Sequence, residues 1–217
     1  MRAEAERREP AADALGARLR EERERRGLTL RELARRLGVS ASLVSQIETG
    51  KTQPSVRTLY AMVSELDVSL DELFAAADGH GLRSPAPLQP AAQDAGPPEG
   101  YGHVQRAADR DVIDLGSGVR WERLTTWNDR DVEFLCANYE PGGSSSPDGS
   151  LMRHSGREFG IVLTGELGVK VGFNDYVLGA GDSIAFDSSI PHRLHNDGTE
   201  IVTAIWIVVG RHHVPER

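Results

Sequence analysis

The chain changes its hydrophobic period once, and this change divides it into two domains of different class. Apolar residues first recur at helical spacing, as in LRELARRL over residues 30–37. Later they alternate with period two, as in LGVKVGF over residues 167–173. The segment between, residues 78–100, is rich in Gly, Pro and Ala and has the composition of a semi-extended linker. The sequence therefore predicts a disordered tail at 1–12, a helical domain at 13–77, the linker at 78–100 and a β domain at 101–217.

Charge follows the same division. The 217 residues carry a formal net charge of -8, a value that would disfavour nucleic acid if it were spread evenly. Residues 1–77 are balanced, with 13 basic and 13 acidic side chains, and residues 18–57 hold 10 basic against 5 acidic ones. The deficit therefore lies in the second domain, and the helical domain keeps a locally positive stretch that suits a polyanion.

Cysteine content and hydropathy indicate the cellular compartment in which the protein resides. The single cysteine, Cys136, excludes an intrachain disulfide and indicates a reducing environment. No apolar run reaches the roughly 18 residues of a membrane-spanning helix, and the N-terminus MRAEAERREP has charges where a signal peptide needs an apolar stretch. We expect a cytoplasmic protein with no membrane partner.

The helical domain is predicted to contain five short helices. Ser40 can cap one helix, Gly38 and Gly50 can end others, and Ser69 with Glu72 forms a capping box for the last. The tightest unit is LRELARRLGVSASLVSQIET, residues 30–49, in which small and apolar residues allow two helices to cross closely around a glycine turn. This is the requirement of a helix-turn-helix.

The stretch at residues 27–74 resembles the Cro/lambda-repressor-like (xenobiotic-response-element) family of DNA-binding domains nearly throughout. The resemblance implies a recognition helix at residues 40–49 in the DNA major groove. Gln46 would pair with an adenine edge, and Ala41 with a thymine methyl. Leu30 stands where many members carry Gln. The resemblance assigns DNA contacts to Thr29, Ser40, Ala41, Ser42, Ser45, Gln46, Thr49, Lys51, Thr52, Gln53 and Arg57. The basic run at Arg23, Arg25 and Arg26 is interpreted instead as a solvated helix face.

Two motifs carry the possible chemistry of the β domain. HSGREFGIVLTG begins at His154, and GDSIAFDSSIPHRLHN contains His192. Their spacing, H-x3-E-x6-G and G-x10-H-x3-N, resembles the cupin family over about residues 105–210. This resemblance implies a double-stranded β-helix (jelly roll) with a divalent metal on His154, Glu158 and His192, although Met152 replaces the first histidine of the family pattern.

The parity of residues 152, 154 and 158 would place their side chains on one face of a regular strand. Two imidazoles and one carboxylate can form a facial triad for Fe(II), and Mn, Ni or Zn are alternatives. The competing interpretation is that the three side chains hydrogen-bond one another in a metal-free effector pocket. Candidate wall residues are the aromatic side chains Trp121, Tyr139, Phe186 and Trp206.

Together the two resemblances favour a ligand-responsive bacterial transcriptional regulator. Its barrel would pair two chains so that the heads read an inverted repeat of double-stranded DNA, and a small-molecule effector would bind the barrel. One alternative is a mononuclear non-haem iron cupin enzyme resembling hydroxypropylphosphonate epoxidase, with the same three residues as its triad. Another is a metal-free barrel that serves dimerisation alone.

Overall fold

The computed structural model describes residues 9–70, 73–74, 102–127, 129 and 131–210. The N-terminal domain, called the head below, contains four helices with defined bounds: α1 (Glu9–Arg25), α2 (Leu30–Leu37), α3 (Ala41–Glu48) and α4 (Val56–Glu65). Helix α1 thus begins inside the tail predicted at 1–12. The linker predicted at 78–100 lies outside the described residues.

Local capping explains where the helices begin. The Thr29 hydroxyl accepts from the backbone N–H of Glu32, whose carboxylate accepts from the Thr29 N–H, so a capping box starts α2. Gly38 ends α2 with a left-handed φ of 68°, and the Ser40 hydroxyl caps α3 by accepting from Leu43 N–H, as predicted.

The predicted count of five helices is only partly matched. Four helices have full bounds among the described residues. Leu70, Leu73 and Phe74 are also helical and buried in the head core, but residues 71–72 lie outside the described part, and with them the predicted partner Glu72 of the Ser69 capping box.

The C-terminal domain, called the barrel below, is an antiparallel jelly-roll-like pair of sheets, in agreement with the predicted cupin fold. One sheet has the strand order β1-β2-β3-β9-β4-β7 and the other β6-β5-β8. The strands are β1 (Val112–Leu115), β2 (Val119–Arg123), β3 (Val132–Tyr139), β4 (Arg157–Thr164), β5 (Leu167–Val171), β6 (Asn174–Leu178), β7 (Ser183–Asp187), β8 (His192–His195) and β9 (Val202–Val209).

Strand β9 lies in the middle of the large sheet, between β3 and β4. Its residues alternate: Val202, Ala204, Trp206 and Val208 are buried inside, whereas the residues between them are only half-buried. The uniformly apolar sequence of this strand is therefore explained by two apolar faces, one toward the barrel interior and one on its outer side.

Head and barrel are in direct contact through the loop before α4 and the first turn of that helix. The backbone N–H of Gly116 donates to Pro54 O at 3.0 Å, and that of Arg57 donates to Ser145 O at 3.0 Å. A Cβ on Gly116 would lie 2.6 Å from Gln53 O, so the approach requires glycine. The contact brings α4 of the head against the mouth of the barrel.

None of the helices in the described ranges combines the length and apolar character that crossing a membrane requires.

Candidate functional site

The predicted recognition helix is α3, and a buried ion pair fixes it to α1. Arg23 donates through Nε to Glu48 Oε1 at 2.7 Å and through Nη2 to Oε2 at 2.9 Å, and its Nη1 bonds Leu28 O at 2.7 Å. The hydrogen bond to Glu48 raises the pKa of Arg23. Arg23 is 7 % exposed, so its assignment to a solvated face was wrong; the arginine positions α3 instead.

The outward face of α3 is polar, as the helix-turn-helix resemblance implies. Ser42, Gln46 and Thr49 are exposed, and Ala41 and Ser45 are half-buried beside them. The opposite face holds Val44 and Ile47 in the head core. The Thr49 hydroxyl donates to Ser45 O at 2.8 Å, so it closes the helix end as well as facing outward.

The remaining predicted DNA-contact residues divide into two groups. Ser40, Lys51 and Thr52 are exposed around the ends of α3, and Thr29 is exposed at the start of α2. Gln53 and Arg57 lie instead at the contact with the barrel, where Arg57 Nη1 is 3.5 Å from Asp148 Oδ2.

The three predicted metal ligands meet inside the barrel. Nε2 of His154 and Nε2 of His192 each lie 3.1 Å from Oε1 of Glu158, and the three ligand atoms all lie within 4.8 Å of one another. Glu158 is 3 % exposed and His192 is fully buried. None of these three atoms has a hydrogen-bond partner of acceptable geometry. Three buried polar atoms therefore converge on one point without satisfying one another.

In each of the three ligands, the polar atom that faces away from the common point already has a hydrogen-bond partner. His154 Nδ1 is 2.9 Å from Ser155 O, and His192 Nδ1 is 2.9 Å from Ile190 O, so each Nδ1 carries the proton. In its neutral form each imidazole then directs an Nε2 lone pair at the common point, and in its protonated form it directs an N–H at Glu158. Trp206 donates its indole N–H to Glu158 Oε2 at 2.7 Å, which leaves Oε1 for the same point.

The electrostatics keep Glu158 in its ligand form. Burial alone would raise the pKa of this carboxyl, but the imidazoles of His154 and His192 outweigh that effect and hold the pKa of Glu158 well below its usual range. Burial lowers the pKa of His192, and the facing carboxylate reverses that shift. The carboxylate is therefore ionised where a cation would sit.

The predicted reason for this convergence, the shared parity of residues 152, 154 and 158 on a regular strand, is wrong. Residues 153–156 precede β4 and form a loop rather than a regular strand, so strand parity does not align His154 with Glu158. The His154 N–H donates to Ser188 O at 3.0 Å, and Gly156 has a φ of 104°, which directs the loop back over β4. Met152 pairs with His192 through backbone hydrogen bonds and lies in the wall of the pocket.

The pocket around the triad includes part of the head. Trp121, Tyr139 and Trp206, three of the four aromatic candidates, line it, and the fourth, Phe186, packs 5.1 Å from the His192 ring. Burial raises the pKa of Tyr139, and Glu158 adds to that shift, so the phenol stays neutral.

Sequence reasoning missed Val56 and Tyr60 of α4, which line the same pocket from the head. The Tyr60 ring stacks on His154 with 4.9 Å between ring centroids. No spacing rule connects residues so far apart in sequence.

Comparison with known proteins agrees with both domains. A helix-turn-helix family model matches residues 19–73, and a cupin domain model matches residues 136–208. The HTH-type transcriptional regulator PuuR of Escherichia coli (strain K12) is 30 % identical over 194 residues, which cover 88 % of this chain and 92 % of the relative. The chain belongs to this family of HTH-type transcriptional regulators. The relatives are regulators rather than enzymes, in agreement with the sequence prediction.

Two solved structures provide fold comparisons. An HTH_3 family transcriptional regulator from Vibrio cholerae covers 92 % of this chain and 96 % of its own, with a TM-score of 0.61 at 22 % identity. It has the same two-domain fold. Hydroxypropylphosphonic acid epoxidase from S. wedmorenis covers 92 % of this chain with a TM-score of 0.44 at 21 % identity, a likeness too weak to support the iron-enzyme alternative.

Proposed function

We propose that this regulator binds an inverted-repeat operator in double-stranded DNA as a homodimer, and that its barrel senses a small-molecule effector, with a divalent metal held by the triad. The proposal rests on one observation: the same chain contains a firmly held helix, α3, with a polar outer face, and a buried set of metal-ligating atoms that lack hydrogen-bond partners. A buried ion pair holds α3, and the three ligand atoms converge in the pocket to which α4 contributes a wall.

The DNA contacts follow from the exposed surface of α3. The Gln46 amide can donate and accept on one adenine edge, Ser42 and Ser45 offer weaker single bonds, and the Ala41 methyl can meet a thymine methyl. Thr29, Ser40, Thr49, Lys51 and Thr52 are assigned to phosphates or to the groove edge. Gln53, whose backbone meets the barrel at Gly116, would contact a phosphate through its half-buried side chain. Arg57 reaches a phosphate only where its 3.5 Å contact with Asp148 opens.

Homodimerisation is supported by the outer face of the large sheet. Phe159 and Ile161 of β4 are each 40 % exposed, and register places them beside Ile207 and Ile205 of β9. On the other side of β9, Phe134 of β3 is the register partner of Ile207 and extends the row formed by Phe159 and Ile207. This outer apolar patch, formed by Phe134, Phe159, Ile161, Ile205 and Ile207, lies on the side of the sheet away from the triad. Contiguous apolar surface of this kind marks a protein interface, and a second copy satisfies the two-fold symmetry that half-site reading needs.

The triad fits a divalent metal. A metal with ligand distances of about 2.1 Å places neighbouring octahedral ligands about 3 Å apart. This is close to the 3.1 Å that separates each imidazole Nε2 from Oε1 of Glu158, and the two Nε2 atoms lie within 4.8 Å of each other. Fe, Mn, Ni and Zn all accept two imidazoles and a carboxylate. When bound, such an ion would supply a Lewis-acidic centre with open positions for an effector, while Trp206 and the two backbone carbonyls hold the ligands in place.

The DNA-binding part is tested by selecting genomic fragments with the purified protein and then measuring binding of variants at fixed salt. Gln46→Ala is expected to lose about 1–3 kcal/mol of discrimination at one base position in each half-site. Ser64→Ala, which changes an exposed α4 position, serves as the control. Unchanged sequence preference in Gln46→Ala would overturn the assignment of α3 as the reading element.

The dimer and the metal have separate tests. Ile161→Asp is expected to shift the protein to monomer in sedimentation, whereas Phe173→Asp, at a fully exposed turn residue, leaves the dimer intact. Calorimetric titration with Ni²⁺, Mn²⁺, Zn²⁺ and anaerobic Fe²⁺ should show one site per chain that is lost in His154→Ala and kept in His103→Ala. Equal binding by both histidine variants would contradict the metal assignment.

A further inference from the structure

One residue of the DNA-binding head lines the barrel pocket beside the triad. Tyr60 of α4 is 7 % exposed, and its ring stacks on the imidazole of His154 with an interplanar angle of 28°. The same ring lies 5.4 Å from that of Trp121 in a tilted contact. The ring thus has barrel aromatic groups on two sides.

The Tyr60 hydroxyl is also recognised by the barrel. It donates to Glu133 Oε2 at 2.8 Å, and Glu133 is only 4 % exposed. A hydrogen bond to a buried carboxylate is among the stronger kinds because both groups are shielded from water. The barrel therefore presents a ring-sized slot with an acceptor at its end, which matches a phenol in both shape and polarity.

Little space remains while Tyr60 is in this slot. The pocket beside it measures about 20 Å³, which is room for one ion or one water. A ring the size of benzene needs a cavity of about 150 Å³. A metal ion can therefore enter beside Tyr60, but an organic effector of ring size cannot.

The wall most able to move is the one that the head contributes. The barrel residues of the pocket lie on or beside strands fixed by sheet hydrogen bonds. The loop before α4 and the first turn of that helix are attached near the mouth by two backbone hydrogen bonds, from Arg57 N to Ser145 O and from Gly116 N to Pro54 O. Elsewhere the head meets the barrel where the Arg123 guanidinium lies 6.0 Å from the centre of the Phe74 ring. The accompanying Arg57–Asp148 pair is half-exposed, and such pairs contribute little.

We infer that the Tyr60 side chain is an internal ligand of the effector slot, and that the effector is a small phenol-like molecule which takes its place and undocks the head. This inference rests on the effector-sensing regulator proposed above. The replacing molecule needs a flat ring for the faces of His154 and Trp121 and a hydroxyl that donates to Glu133. Because one slot cannot hold two rings, effector binding and head docking exclude each other.

The consequence for DNA binding follows by linkage. Docked heads on a dimeric barrel have a fixed spacing, which favours two half-sites at a fixed separation. A ligand that binds only the undocked state shifts the population away from that arrangement. The effector therefore weakens operator binding.

Calorimetry with p-cresol, the analogue of the tyrosine side chain, tests the slot directly. Tyr60→Ala removes the internal competitor and is expected to bind p-cresol at least ~10-fold more tightly than the unmodified chain, as expected when a tethered competitor is removed. Toluene, which lacks the donor, should bind this variant about tenfold or more weakly than p-cresol does. Tyr176→Ala, a change at an exposed tyrosine of β6, should behave as the unmodified chain. Equal p-cresol affinity in the two alanine variants would overturn the inference.

Hydrogen exchange in the unmodified protein tests displacement without a cavity-forming variant. The α4 amides are expected to exchange faster with p-cresol, and faster in Tyr60→Phe than in the unmodified chain. Unchanged α4 exchange at a hundred times the p-cresol Kd of Tyr60→Ala would overturn the inference. If Tyr60→Ala does not fold, the p-cresol concentration is set instead at a hundred times the Kd of Tyr60→Phe. Neither measurement involves DNA, so a failure of operator binding would count against the proposed function alone.

Discussion

Trp206 donates its indole N–H to Oε2 of Glu158 at 2.7 Å, and this bond determines which carboxylate oxygen faces the two imidazoles. The indole fits because position 160, its register partner on β4, is glycine. A Cβ at that position would lie 2.0 Å from Cζ3 of Trp206. Trp206, although it lies on an apolar strand, thus orients the Glu158 carboxylate through its indole nitrogen.

Trp206→Phe is expected to lower metal affinity by about 10–100-fold, because it removes the group that orients the carboxylate while retaining an aromatic ring. Calorimetric metal titration provides the measurement. Trp127→Phe, a change at a half-buried tryptophan outside the pocket, is the matched control. Equal loss in both variants would assign the effect to general destabilisation.

Gly160→Ala should displace the indole, destabilising the barrel by about 1–3 kcal/mol through overpacking and weakening metal binding at the same time. Denaturant unfolding and metal titration on the same sample check both effects. Gly102→Ala, where an added Cβ meets nothing within 4 Å, should change neither. A Gly160→Ala protein with full stability would show that the indole can move without cost.

Glu48→Gln should destabilise the head by about 3–5 kcal/mol, because it removes the buried partner of the Arg23 guanidinium and leaves only the exposed Glu24 carboxylate at 3.4 Å. The double variant Arg23→Met with Glu48→Leu is expected to recover much of that loss, since neither charge is then buried alone. Thermal unfolding of the full chain reports both. Glu21→Ala, which removes an exposed carboxylate that pairs with Arg18 on the same helix, should leave the midpoint unchanged.

Lys51→Ala should weaken DNA binding to about the same degree on all sequences and reduce the slope of log K against log salt by about one unit. The chain has two lysines, and the other, Lys170, pairs with Asp175 on the barrel. Lys170→Ala should leave affinity and slope unchanged. Sequence-dependent losses in Lys51→Ala would indicate a base contact instead of a phosphate contact.

The sequence was sufficient for features set by local rules. Gly38 and the Ser40 cap follow from backbone preferences, and the spacing of His154, Glu158 and His192 identified the triad that the structure brings together. The T-x-x-E signal at Thr29 and Glu32 also predicts a helix start, yet Thr29 was assigned from the sequence only to a DNA contact; its hydroxyl forms the capping box of α2.

The sequence was insufficient where distant segments pack against each other. Arg23 sits among glutamates on a charged helix, and only the position of α3 makes it a buried partner of Glu48. Tyr60 belongs to a helix whose pattern predicts nothing more than a head core, while its ring rests on His154, which lies in the other domain. Such contacts depend on the docking of two domains, which hydrophobic periodicity does not encode.

Strand β9 has a consequence for how this protein can change. Trp206 points inward to the carboxylate, while its chain neighbours Ile205 and Ile207 point outward into the apolar patch. One peptide unit therefore separates a residue that shapes the ligand set from residues that would meet a second subunit. A substitution on one face of β9 will shift the strand backbone and with it the side chains on the other face. The choice of partner subunit and the metal preference of the triad are therefore expected to evolve together.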